Sequence, residues 1–351
     1  MSNTQSDQKM DLRPEDEIDE TTMSSGKNGL PRQVELFSAI DTDDETNSIH
    51  LYDILPKYEH DGRERRITDS AFVQREVVIG KRKYQCEIQA ARIKRGDGSE
   101  VMMFPSDREE CVEDCLRKLA VTQAVFIDGE VGVSFSLYQL RKVLAKHGHT
   151  MSHHQIVEAL QVLRRSGLRV TDESGAEWEE SFFARLAKGG RRKEHLASDG
   201  YECWYVVFHK LVTKSIIDLT FRRMDFPTLM TIHGMLARYI YKRMVSVYTY
   251  ASMEQPYEPT LTQMLTHSGR GFGTSFKNDI KAMNRALDQL KKAGVLLAWE
   301  ERERKKDGRS TVDIRYRLWP TQRLTKQVIA SNRASKKMKL EEVKDQLKDA
   351  K

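Results

Sequence analysis

The sequence predicts an α+β protein: two tandem helix-turn-helix units, each followed by a β-wing, behind a disordered acidic leader. Three observations carry this expectation. A pattern of helix, short turn, helix and β-hairpin occurs twice, over residues 136–186 and again over 260–319. The copies align without gaps over their best stretch: residues 158–170 fall on 285–297, matching Ala159 with Ala286, Leu160 with Leu287, Leu163 with Leu290 and Gly167 with Gly294. Charge separates the leader from the rest. Residues 1–48 hold 12 Asp/Glu and 4 Lys/Arg, while the whole chain carries +6, so residues 49–351 carry +14.

Each element has its own signal. Residues 1–30 are polar, acidic and poor in aromatics, a composition that does not support a packed core. Gly26 and Pro31 interrupt local structure, and 41–47 is a second acidic stretch expected to be flexible. Folded sequence is expected from about Leu51. Residues 72–79 and 84–93, rich in Val, Ile and aromatics, read as strands joined through Gly80-Lys81-Arg82-Lys83. Asp97-Gly98 marks a turn before a short strand at 101–104. Asp107 looks like the N-cap of a helix to about Ala120, followed by extended chain with a turn at Asp128-Gly129.

Ser136 then opens a helix with Leu137, Leu140 and Leu144 as its apolar stripe, ended by Gly148. Ser152 or Thr150 caps the next helix, which turns Ile156, Leu160 and Leu163 inward and stops at Arg165, with Gly167 as a left-handed terminator. A hairpin turning at 172–175 forms the first wing. Pro227, at a first-turn position, opens a long helix to Met244. Thr260 starts a short helix, 269–273 is a glycine-rich turn, and 275–293 is a long helix ended by Gly294. Residues 295–302 and 311–319 make a second wing around 305–308. The resulting division is a leader at 1–48, a first winged-helix domain at 49–210, a second at 211–320, and a basic tail of helical pattern at 321–351.

Other function classes are poorly supported. The four cysteines include no C-x-x-C pair, and Met1–Lys9 has no apolar core of the kind a signal peptide needs. No run approaches the ~18 apolar residues of a membrane span. A cytoplasmic protein without membrane contact is the expectation. His147, His149, His153 and His154 tempt a metal reading, yet no Cys or carboxylate set completes a site, so neither metal nor cofactor is expected. Gly269–Gly273 lacks the Lys-Ser/Thr pair of a phosphate-binding loop. His147-Gly148-His149 lacks the bulky centre of a nuclease His pair, and Tyr239 and Tyr241 sit in a core-like helix, so no enzyme activity is expected.

A basic body points instead to a polyanion, and duplex DNA is the first candidate. A recognition helix enters the major groove and reads base edges with its N-terminal half. In the second copy Ile280, Met283, Leu287 and Leu290 face inward, leaving Lys277, Asn278, Lys281, Asn284 and Arg285 outward. Asn can read adenine through two hydrogen bonds, and Lys and Arg can read guanine or hold phosphate. In the first copy the outward set is His153, His154, Gln155, Glu158 and Gln161, less basic at its front. That helix is expected to lean on Arg164, Arg165 and the run Arg191-Arg192-Lys193. Arg270 in the glycine-rich turn and Lys305 and Lys306 in the second wing add backbone contacts. Taken singly, each of these residues is as well explained by a solvated helix face; the second helix, as a unit, is not.

Gln33, Leu36 and Phe37 stand between two stretches expected to be flexible. One amide and two adjacent apolar anchors suit a peptide that docks in a hydrophobic pocket, and the spacing resembles the motif by which bacterial DNA-metabolism proteins bind the replicative sliding clamp. Val34 and Glu35 depart from the residues usual at their places.

Together, the two helix-turn-helix units, the basic body and the upstream peptide resemble the winged-helix plasmid replication initiators of the TrfA and RepA type. The resemblance implies binding to directly repeated origin sites (iterons), opening of adjacent AT-rich DNA, and recruitment of host helicase, host initiator proteins and, through Gln33, Leu36 and Phe37, the sliding clamp. It also implies a homodimer when repressing and a monomer at the origin. Residues 275–292 would read the iteron and 152–165 would act closer to the backbone. A winged-helix transcriptional repressor is the alternative, and a nuclease-type initiator the third reading.

Overall fold

The structure, a computed structural model, describes residues 30–39, 44–62, 64–189 and 200–349, with side chains to residue 340. The leader at 1–29 and Arg191 and Arg192 lie outside the described residues.

Folding starts earlier than the sequence suggests. Helix α1 (Arg32–Ser38) buries Val34, Leu36 and Phe37. Phe37 is 1% exposed, stands edge-on to Phe221 with ring centroids 5.2 Å apart, and its carbonyl accepts a hydrogen bond from Asn47 Nδ2 at 2.8 Å. Strand β1 (Glu45–Ile49) follows and leads into α2 (His50–Ile54). So the expected flexible docking peptide is a core helix, and the expected flexible acidic stretch ends in a strand. The physical reason is the apolar pair itself: Leu36 and Phe37 find an internal pocket, and burying such side chains is worth roughly 1.5–3 kcal/mol each.

The first unit holds β2 (Phe72–Ile79), β3 (Arg82–Gln89), β4 (Ala91–Lys94), β5 (Glu100–Met103), α3 (Asp107–Gln123), β6 (Ala124–Ile127) and β7 (Glu130–Ser136). Next come α4 (Leu137–Lys146), α5 (His153–Arg165), β8 (Gly167–Asp172), β9 (Glu177–Ser181), β10 (Phe183–Lys188) and β11 (Cys203–Phe208). Capping boxes start all three helices: Ser106 with Glu109, Ser136 with Gln139, Ser152 with Gln155. Ser106, not Asp107, is therefore the cap of α3. The hairpin β8–β9, expected as the first wing, does not stand alone, because β2 and β3 extend it into an antiparallel sheet of order β2-β3-β8-β9. A second antiparallel sheet has the order β10-β11-β7-β6. Gly167 is no left-handed terminator; it opens β8, and a side chain there would meet Gln89 Oε1 at 3.0 Å.

The second unit runs through α6 (Lys210–Ile217), β12 (Phe221–Asp225), α7 (Phe226–Thr231), α8 (Met235–Val247), α9 (Leu261–His267), α10 (Phe276–Lys292), β13 (Leu296–Asp307) and β14 (Ser310–Pro320). The single long helix expected from Pro227 is two helices. The break at Ile232–Gly234 is held by other chain segments: Arg238 Nη1 donates to Ile232 O at 2.9 Å and Gly234 N donates to Gln289 Oε1 at 3.0 Å. Gly294 does terminate α10, with φ +72°. Residues Tyr257 and Thr260 form isolated antiparallel bridges to Leu318 and Arg315 on the β14 side of the two-stranded β13–β14 hairpin. The tail is α11 (Gln322–Asp349), docked along β12 through Leu324, Val328 and Ser331, whose hydroxyl accepts from Arg223 N at 3.0 Å. β12 also pairs with β1, so the N-terminal segment is woven into the second unit.

Two joints fix the units against each other. At the first, α2 and α3 meet α8 through buried ions: Asp53, Glu110, Glu113 and Asp114 face Lys57, Arg117, Arg238 and Lys242, four acids against four bases, all at most 4% exposed. Lys242 Nζ lies 2.9 Å from Glu110 and 2.8 Å from Asp114; Arg238 lies 2.9 Å from Glu110; Arg117 bridges Asp53 and Asp114. At the second joint α9 lies against β2, where Val78 N donates to His267 Nε2 at 3.4 Å and His60 Nε2 sits 3.1 Å from Ser268 O.

Candidate nucleic-acid interface

Helix α10 is amphipathic. Met283, Leu287 and Leu290 are fully buried and Ile280 packs partly against the same core. Asp279, 1% exposed, accepts from Gly273 N at 2.9 Å and from Arg270 Nη1 at 2.8 Å, which fixes the turn ahead of the helix. Gln289 ties its far end to Gly234. With the inner face held this way, Lys277, Asn278, Lys281 and Arg285 are exposed on the outer one. Among the described residues none of these three cations has an ion-pair partner. Unpaired cations on a rigid helix suit phosphate and guanine edges, because no internal salt bridge must be broken on binding.

Asn284 and Arg270 belong to the structure more than to the surface. Asn284 is half-buried and its Oδ1 accepts from Tyr316 OH at 3.2 Å, leaving only the amide N–H groups for a base. Arg270 is the clasp on Asp279 rather than an unengaged phosphate contact. The second wing is longer than the sequence indicated: β13 and β14 run ten or more residues each, and their two-residue turn is at Gly308-Arg309, with Gly308 at φ +58°. Lys305 and Lys306 are exposed next to that turn. Arg302 and Arg317 are engaged by Glu258, and Arg304 by Glu301.

Helix α5 is different. Its cap geometry and its inward Ile156, Leu160 and Leu163 are as expected. The face corresponding to the exposed outer face of α10 is covered, however. Val162 is fully buried against Ala91, Ile93 and Met103 of the β4–β5 hairpin. Glu158, expected outward, is 8% exposed and bound to Arg108 at 3.0 Å. Gln155 is exposed, but its side chain oxygen accepts from Ser152 N at 2.8 Å. Only the first turn, with His153 and His154, remains exposed at the front, and at the back Arg164 and Arg165 reach Ser181 Oγ and Arg92 O. A signal for this was present: Val162 aligns with the exposed Gln289, and an apolar residue on an outward face implies a cover.

The remaining candidates resolve simply. His149 Nε2 lies 2.7 Å from Met230 O and its Nδ1 3.7 Å from Cys111 Sγ, and His147 stands edge-on to Phe226. Among the described residues no group of three His, Cys, Asp or Glu could hold a metal ion. Tyr241 is fully buried, with its hydroxyl 3.3 Å from Asp225 O, and burial pushes the Tyr239 hydroxyl up to about 12. No helix among the described residues is long and apolar enough to cross a membrane.

No known protein family matches the chain, and no curated protein does. Solved structures that resemble it include domains 2 and 3 of RctB, at a TM-score of 0.45 and 11% identity over 78% of this chain and 96% of that one. A second structure of RctB domains 2–3 gives 0.43 and 12% over 77% and 98%. A Pi initiator protein in complex with iteron DNA gives 0.42 and 12% over 62% and 91%. At this level they describe a loose likeness in the course of the chain.

Proposed function

We propose that the chain is a duplex-DNA-binding replication initiator whose two units are winged helices. The observation that carries the DNA reading is the outer face of α10, where Lys277, Lys281 and Arg285 stand exposed and unpaired beside Asn278. The two joints support the initiator reading over the repressor. They hold two non-equivalent units at one orientation within a single chain, which suits one chain per direct repeat. A two-fold-symmetric repressor dimer would instead match an inverted repeat. In this reading α10 supplies base contacts, the β13–β14 wing follows the backbone, and the first unit contributes through the exposed ends of α5. Melting of an AT-rich flank, recruitment of helicase and host initiator proteins, and a repressing homodimer complete the proposal.

Footprinting on the DNA beside the gene tests it. Protection of several direct repeats of roughly 17–22 bp, next to an AT-rich tract, is the expected result. Protection of one inverted repeat, or failure of the gene and its flanks to sustain a plasmid with no other origin, would favour the repressor. Clamp recruitment through Leu36 and Phe37 would require α1 to leave the core.

A further inference from the structure

The turn of the first wing is acidic. Asp172 and Glu173 stand at it, Glu177 and Glu179 follow on β9, and Arg169 is already engaged by those two. Such a turn repels phosphate. The hairpin beside it has the opposite character. At the β2–β3 tip Lys81, Arg82 and Lys83 are all exposed, and among the described residues none lies within 4 Å of a carboxylate, although Arg82 is near enough to Asp172 to help Ser174 lower its carboxyl. Antiparallel pairing of Tyr84 with Asp172 sets this tip level with the wing turn. The order β2-β3-β8-β9 puts the basic tip at one edge and the acidic strand at the other.

The basic edge is the one that meets α9, while the acidic edge strand β9 meets α6. Val78, two residues before the turning Gly80 (φ +65°), donates to His267 at the end of α9. From His267 the chain runs through the glycine-rich turn directly into the front of α10. One rigid joint thus connects the three cations of the tip with the Lys277 end of the reading helix. The hairpin fixes the backbone that carries these cations, so only side-chain freedom is lost when they meet a phosphate. They carry no base information, so their contribution is register and affinity.

We infer that the β2–β3 tip is a second phosphate-binding element, gripping the duplex backbone beside the stretch read by α10 in place of the first unit's acidic wing. This rests on the reading of the chain as a duplex-binding protein. The test measures binding of the full chain to labelled duplexes of about 30 bp, one random and one from the gene's flanking DNA, across a salt series. The variant is Lys81→Ala, Arg82→Ala and Lys83→Ala together; all three are exposed, so an unchanged unfolding curve is expected. On both duplexes its affinity falls about tenfold or more near ~0.1 M salt, and the log–log salt slope becomes shallower by about 2 to 3. The preference for flanking over random DNA stays as in the parent. Parent-like affinity and slope in this variant, with the parent itself binding, would overturn the inference and leave the α10 reading standing. A parent chain that binds neither duplex would overturn both.

Discussion

Lys242 donates to Glu110 and Asp114 from a site 1% exposed, and Arg238 and Arg117 complete the same network. Burial alone would lower the Lys242 ammonium, but Asp114 and Glu110 overcome it and hold it above its ordinary range. Burial alone would raise the Glu110 carboxyl, but Arg238 and Lys242 hold it well below its own. Lys242→Met leaves two buried carboxylates short of a partner and should cost about 3–5 kcal/mol in urea unfolding. The pH signs follow from these directions. The Glu110 contribution is full above the unfolded carboxyl value of ~4.3 and is lost as pH falls through the depressed folded value; the Lys242 contribution is full below ~10.4 and lost as pH rises through the elevated one. His209 adds a milder acid dependence. Burial pushes it down to about 4, and its Nδ1 accepts from Leu211 N at 3.1 Å. The stability it carries is present above ~6.5 and is lost between there and about pH 4, at most about 3 kcal/mol. His209→Gln should flatten that part of the stability–pH curve, and an unaltered curve would show that another group sets it.

Among the elements, α1 departs furthest from its reading in the sequence. As a core helix it predicts that Leu36→Ala with Phe37→Ala lowers stability by roughly 3–5 kcal/mol or more, read as a fall in the urea midpoint. An unchanged midpoint would restore the docking peptide. Short-range signals were legible. The Ser136 and Ser152 caps, the Thr260 cap, the Asp172 turn and the Gly294 terminator all lie within a few residues of what they control, and each is found in place. What escaped is non-local. Nothing near residue 90 says that β4–β5 will cover α5, or that β2–β3 will lengthen the first wing. The acids of α3 and the bases of α8 carry no local sign of burial; only their meeting across more than a hundred residues makes them a core.

At the scale of the molecule, the two joints make the units one body, with α10 and the β2–β3 tip fixed relative to each other. Under the proposed function, that arrangement presents the outer face of α10 and the tip to one duplex together. The exposure of Lys277, Lys281 and Arg285 was legible from their spacing opposite Met283, Leu287 and Leu290; Val162 signalled that α5 has a cover, but not which segment supplies it, because β4–β5 is remote in sequence. The most direct test compares the parent chain with Lys277→Ala, Lys281→Ala and Arg285→Ala combined, by fluorescence anisotropy on duplexes from the gene's flanking DNA and on random duplex. A fold-preserving loss of the preference for flanking DNA is predicted, with weaker residual binding to both. Retained tight and selective binding to the flanking duplex would contradict the assignment of α10 as the reading helix.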